Sequence, residues 1–204
     1  MNRAKRMRAG IALVVALTLT LGGCFTSPAS RPNVAAFDLG EVVSAPALNT
    51  PWLGALDVTA PSWLDSRAMQ YRLAAEPARR QSYAESRWAA TPAELLATSL
   101  RRQLGATSVN GDGCRLRIEL DEWVQSFDAE GNSQAQIALR AGLYTAKGDG
   151  QFARQAFSLK VSAGRDARQG VATFVALEQR LASDLGRWLT QLAKEQNLPA
   201  RCRS

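Results

Sequence analysis

The sequence predicts an α+β domain of two layers: a mostly antiparallel sheet of about five to six strands with two amphipathic helices packed on one face. Leu96, Leu100 and Leu104 recur every fourth residue, and Phe174, Leu177, Leu181, Leu185, Trp188 and Leu192 step by three or four. Each series makes one apolar stripe at helical period. Between the two stripes, three runs of alternating apolar and polar residues are joined by glycine-rich turns, the pattern of an antiparallel meander. Helices with one apolar stripe and a sheet with one polar face bury their apolar surface most simply by stacking.

Ala36-Phe37-Asp38-Leu39 reads as a short first strand ended by Gly40. Leu53 to Val58 reads as a second, with Leu56 and Val58 on one face, and Arg67 to Leu73 as a third, where Met69 and Tyr71 alternate with Gln70 and Arg72. Thr91-Pro92-Ala93-Glu94 starts a helix, with Thr91 as N-cap, Pro92 in the first helical position and Glu94 as the capping-box partner. Gly105 ends it. Asn110-Gly111-Asp112-Gly113 is a turn, after which Leu116, Ile118 and Leu120 alternate with Arg117, Glu119 and Asp121. After Glu122 the apolar parity passes to Trp123 and Phe127, which marks a bulge. Gly131-Asn132 turns the chain into Ala135, Ile137, Leu139, Ala141 and Leu143, and Lys147-Gly148-Asp149-Gly150 turns it again into Phe157, Leu159 and Val161. In the last helix Glu178, Asp184, Arg187 and Lys194 read as lying off the apolar face, and Asn197-Leu198-Pro199 finishes it.

The N-terminus is of another kind. Arg3, Lys5, Arg6 and Arg8 precede an apolar run from Ile11 to Leu21. A spanning helix needs ~20 mostly apolar residues, so this run has the length of a signal-peptide core. It leads into Leu21-Gly22-Gly23-Cys24, which resembles the bacterial lipobox: a branched apolar residue, two small residues, then the cysteine. Small residues admit the peptidase, and a thiol at the membrane surface can take a diacylglyceryl group. The expected organisation is a signal peptide over 1–23, removed on maturation, a lipidated tether over 24–34 with two prolines, and a folded domain over 35–204. Two or three acyl chains make attachment stable without a spanning segment. Asp after the cysteine retains lipoproteins on the inner membrane in the enterobacterial sorting rule, so Phe25 favours the outer membrane, with the domain facing the periplasm.

Maturation changes the charge. The full chain has 25 Lys+Arg against 18 Asp+Glu, a net +7. Losing four basic residues with the signal peptide leaves 21 against 18, or +3. With no basic cluster interleaved with stacking aromatics, a nucleic-acid partner is not expected. Cys24 is assigned to lipid, which leaves Cys114 and Cys202. An oxidising compartment makes a disulfide between them the default, closing a loop of 88 residues and tying the C-terminus to the sheet; unpaired thiols or a bond to another chain are the alternatives. In the chain-entropy view the bridge contributes roughly 4 kcal/mol.

The chain has no histidine, which removes Ser-His-Asp and Cys-His nucleophile systems and the commonest metal ligand, so neither a catalytic set nor a cofactor or metal site is expected. Gly148 and Gly150 lack the following Lys of a phosphate loop. Glu119 and Asp121 share a strand face as paired carboxylates would, but a solvated face salted by Arg115 and Arg117 accounts for them better. Two pairs are candidate partner contacts: Trp63-Leu64 after Pro61, and Arg87-Trp88 before the first helix. For each, packing inside the domain is the competing account.

Phe37-Asp38-Leu39-Gly40, Trp63-Leu64-Asp65 followed by Met69-Gln70-Tyr71-Arg72, and Tyr83-Ala84-Glu85-Ser86-Arg87-Trp88-Ala89 leading to Pro92 stand in a characteristic order. With Leu116 to Phe127 and the helix from Val171 to Leu189, the chain resembles the ABC-type transport auxiliary lipoproteins, the PqiC-type family, over nearly its whole mature length. Phe37 stands where the family pattern has tyrosine and Trp123 where it has phenylalanine; both keep an aromatic ring. The resemblance implies a non-enzymatic outer-membrane component that works with an MCE-domain protein and an ABC or PqiA-type inner-membrane transporter to move lipids or other apolar molecules. It also implies a homo-oligomer. A structural or assembly lipoprotein that binds another envelope protein or peptidoglycan is the alternative.

Overall fold

The computed structural model describes residues 33–41, 50–106 and 113–202. The expected signal peptide, Cys24, nearly all of the expected tether, and Asn110, Gly111 and Asp112 of the expected turn lie outside the described residues. From Val34 onward the chain forms one compact unit.

Seven strands make one sheet: β1 (Ala35–Phe37), β2 (Leu53–Thr59), β3 (Ala68–Leu73), β4 (Gln81–Trp88), β5 (Cys114–Phe127), β6 (Ser133–Tyr144) and β7 (Gln151–Ala163). Among the described residues three α-helices accompany them: α1 (Pro92–Leu104), α2 (Ala167–Gln196) and the short α3 (Leu198–Arg201). The sheet runs β1-β4-β3-β5-β6-β7, and β2 also pairs with β5. The long strand β5 organises the rest. One side carries β6 along its whole length, and the other carries β2 over Cys114–Glu119 and β3 over Gln125–Phe127. Both of those pairings are parallel, as is β1 with β4, so parallel pairings join a sheet whose long β5-β6 and β6-β7 ladders are antiparallel. The β5-β6-β7 meander is antiparallel, as its turns predict.

Local chemistry explains the boundaries. At the start of α1 the Thr91 hydroxyl accepts from the Glu94 amide and the Glu94 carboxylate accepts from the Thr91 amide, closing the capping box. Gly105 ends α1 at φ 62°, the left-handed turn that glycine adopts without strain. Asp166 caps α2 by accepting from the Gln169 amide, and Asn197 ends it, also left-handed. Gly113 has φ +111°, and a Cβ there would sit 2.7 Å from the Trp52 carbonyl oxygen and the Gly54 amide nitrogen. Only glycine lets β5 start that close to β2, where the Cys114 amide donates to Trp52. The bulge falls where the parity shift predicts one: β5 and β6 slip between Leu120 and Glu122, leaving Asp121 as the extra residue.

One core takes in the inward side chains of sheet and helices. Leu96, Leu100 and Leu104 of α1, and Phe174, Leu177, Leu181, Leu185 and Leu192 of α2, face Leu116, Ile118, Ile137, Leu139 and Leu143. At its centre Trp123 stacks on Phe174 with ring centres 4.8 Å apart, and Trp88 meets both edge-on. Cys114 and Cys202 are bonded, their Cα atoms 4.9 Å apart, so the end of α3 is fastened to the first residue of β5.

Two sequence expectations need correction here. The sequence pattern does not predict β4 as a strand, because its inward residues break strict alternation: Ala84 and Glu85 are both exposed between Tyr83 and Trp88. Glu178 is buried, not outward. Its position, one residue after Leu177 and four after Phe174, lies on the α2 stripe, and Gln103 of α1 donates from Nε2 to both of its oxygens, at 2.7 and 2.9 Å.

Candidate docking site

The helices cover one face of the sheet; the other presents the polar members of each alternating strand. On β5 these are Arg115, Arg117, Glu119 and Glu122, of which Glu119 meets Arg140 of β6 and Arg154 of β7. The site lies on this face, at the crossing from β2 to β3.

Pro61, with φ −67° and ψ 158°, brings the chain off β2 in an extended conformation, and Ser62–Leu64 then forms a single 3₁₀ turn. With three residues per turn, neighbouring side chains point about 120° apart. Leu64 therefore enters the core at 2 % exposure while Trp63 stands out at 54 %. The turn is pinned to β3 by Gln70, whose Nε2 donates to the Trp63 carbonyl at 2.6 Å. The Arg80 guanidinium lies 5.9 Å from the centre of the Trp63 ring, within cation–π range. Arg80 also donates to Gln70 Oε1 at 3.0 Å and to Glu122 Oε1 at 2.7 Å, while Arg72 donates to Glu122 Oε2 at 3.1 Å.

On its other side Trp63 helps to line a groove of about 320 Å³ with Thr59, Ala60, Pro61, Glu119, Asp121 and Arg140. Glu119 and Asp121 are both bridged by Arg140, at 2.8 and 2.7 Å, and Arg154 stands 3.8 Å from Glu119. The salting comes from the next two strands rather than from Arg115 and Arg117 on their own strand. Arg115 donates to the Ala146 carbonyl instead, and Arg117 lies over the Tyr144 ring. The hydrogen bond from Arg140 holds the Asp121 carboxyl below the ordinary carboxylate range. A carboxylate held ionised by a guanidinium is a poor proton shuttle.

The four candidate contact residues separate into two kinds. Trp63 and Arg87 are exposed; Leu64 and Trp88 are buried and belong to the core. For Arg87-Trp88 the reason is strand alternation at the end of β4, which sends Trp88 inward to Trp123 and Phe174 and Arg87 outward. Arg72, Arg80 and Glu122, which complete the corner around Trp63, were not singled out in the sequence. Arg72 and Glu122 are outward members of predicted strands, and Arg80 immediately precedes β4, a strand that the sequence pattern does not predict.

The fold and site define an α+β domain with a charged sheet face that displays one tryptophan. Residues 37–189 match the family described as ABC-type transport auxiliary lipoprotein component, and the chain belongs to that family. No curated protein matches the chain. Among solved structures, it is similar to protein XCC0632 from Xanthomonas campestris, assigned to DUF330. The identity is 17 % and the TM-score 0.62, covering 81 % of this chain and 96 % of that one. It is also similar to an uncharacterized protein at 16 % identity and TM-score 0.54, covering 66 % of this chain and 89 % of that one. Both share its fold. Among the described residues no helix is long and apolar enough to cross a membrane.

Proposed function

We propose that the protein is the outer-membrane lipoprotein of an MCE and ABC-type envelope transport system that moves lipids or other apolar molecules. In this reading it is a non-enzymatic docking subunit, held at the membrane by acyl chains on Cys24. The supporting observation is Trp63: a large aromatic side chain left 54 % exposed on a rigid turn, beside arginines and a groove, in a domain that buries Trp52, Trp88 and Trp123. Exposed Trp flanked by Arg is the composition of a binding hot spot.

Acyl anchoring fixes location while leaving the folded surface free for a partner. The tether sets the reach: the eleven residues from Cys24 to Val34 extend at most ~37 Å. The partner is then an MCE-domain protein presented near the membrane by its inner-membrane transporter. Affinity capture of the full-length lipoprotein from detergent-extracted envelopes tests this. The expected co-purifying proteins are an MCE-domain protein and inner-membrane transporter components. Recovery of β-barrel or cell-wall proteins in their place would favour an assembly role.

A further inference from the structure

Around Trp63 the charges do not balance. Arg72 and Arg80 both donate to Glu122, so two guanidinium groups share one carboxylate. Neither arginine is ion-paired to any other acid among the described residues. All three side chains are sheltered, at 30, 20 and 16 % exposure, where a surplus charge is less screened than on open surface. Arg72 is also incompletely engaged. Its Nε is buried without a hydrogen bond, so it meets Glu122 through one terminal nitrogen rather than through the two-pronged fork that suits a carboxylate. The groove on the other side of Trp63 differs, since Glu119 and Asp121 there are matched by Arg140 and Arg154.

We infer that the partner residue seated at the Arg72–Arg80–Trp63 corner is an Asp or Glu of a polypeptide, with an apolar side chain beside it. The inference rests on the docking reading above and specifies the partner's chemistry. The sheltered surplus positive charge calls for an anion, and the Trp63 ring next to it calls for an apolar neighbour. The adjoining groove adds the Glu119 and Asp121 carboxylates to the same surface, which disfavours an array of anionic lipid headgroups and favours a polypeptide that presents its acid at one point.

The test uses the full-length protein in its own membrane, with a photoreactive benzoyl-phenylalanine in place of Ser62, exposed next to Trp63. Irradiation is expected to yield a protein adduct whose cross-linked peptide carries an Asp or Glu beside an apolar residue. Arg80→Gln and Arg72→Gln should each cut adduct yield, together by roughly tenfold. Glu122→Gln should raise it, because it removes the internal competitor for both arginines. A merely structural role predicts the reverse for Glu122→Gln, and a fall in yield there would overturn the inference. So would a cross-linked peptide without an acid, or a cross-link to lipid. Protein adducts insensitive to these charges would overturn the inference and leave the docking reading standing. No protein adduct at all would remove both.

Discussion

Gln103 on α1 donates one amide nitrogen to both carboxylate oxygens of Glu178 on α2, and the pair sits sealed between the two helices with Glu178 only 2 % exposed. Burial pushes the Glu178 carboxyl above its ordinary value of 4.5, against the opposing hydrogen bonds from Ser99 and Gln103. A carboxyl with a raised folded-state pKa favours the protonated form in the native protein. Its contribution is fully present below the unfolded pKa and is lost as pH rises through the folded one. The predicted window of loss therefore opens near pH 4.5 and extends upward. Glu178→Gln removes the titration, so urea midpoints of protein and variant should converge at about pH 4 and separate in favour of the variant by about pH 8. Parallel curves across that range would show that Glu178 ionises at no cost.

Loss of the Cys114–Cys202 bond frees an 88-residue loop in the unfolded chain. The double variant Cys114→Ser/Cys202→Ser is predicted to lose roughly 4 kcal/mol of unfolding free energy. Reductant should produce the same loss in the unmodified protein and none in the variant. Both measurements are chemical denaturation followed by tryptophan fluorescence.

Trp88 and Trp63 make opposite predictions. Trp88, 1 % exposed against Trp123 and Phe174, is a core residue, so Trp88→Ala should cost roughly 3–5 kcal/mol of stability. Trp63→Ala should leave stability nearly unchanged, because the ring stands out from the turn while Leu64 anchors it. Paired thermal melts read the contrast directly.

Much of this fold was legible in the sequence because its signals are local. Thr91, Pro92, Glu94 and Gly105 carry their capping chemistry within one helix, and the parity change from Leu120 to Trp123 records the bulge at Asp121. The parallel pairings of β2 and β3 along one edge of β5 were not legible, since they join residues more than fifty positions apart with no turn between them to set the register. The charge of Glu178 points outward in a sequence reading while its spacing points inward: position 178 lies on the same stripe as 174, 177 and 181. At the candidate site, sequence composition pointed to Trp63 but not to its surroundings. Arg72 comes from β3, Glu122 from β5 and Arg80 from the residue before β4, and only the sheet register brings both arginines to one carboxylate.

Cys24→Ser tests the anchor. The unmodified product should leave the membrane fraction, and the native protein should carry a diacylglyceryl-modified Cys24 by mass spectrometry and sediment with outer membranes. An unmodified, freely soluble native protein would contradict anchoring at that residue.

The central claim, that the Trp63 corner is where this lipoprotein docks, is tested most directly by quantitative affinity capture from envelopes with the protein and its Trp63→Ala variant side by side. The account predicts that recovery of the MCE-domain partner falls by roughly tenfold in the variant at equal lipoprotein abundance and unchanged melting temperature. Equal recovery from both would contradict it.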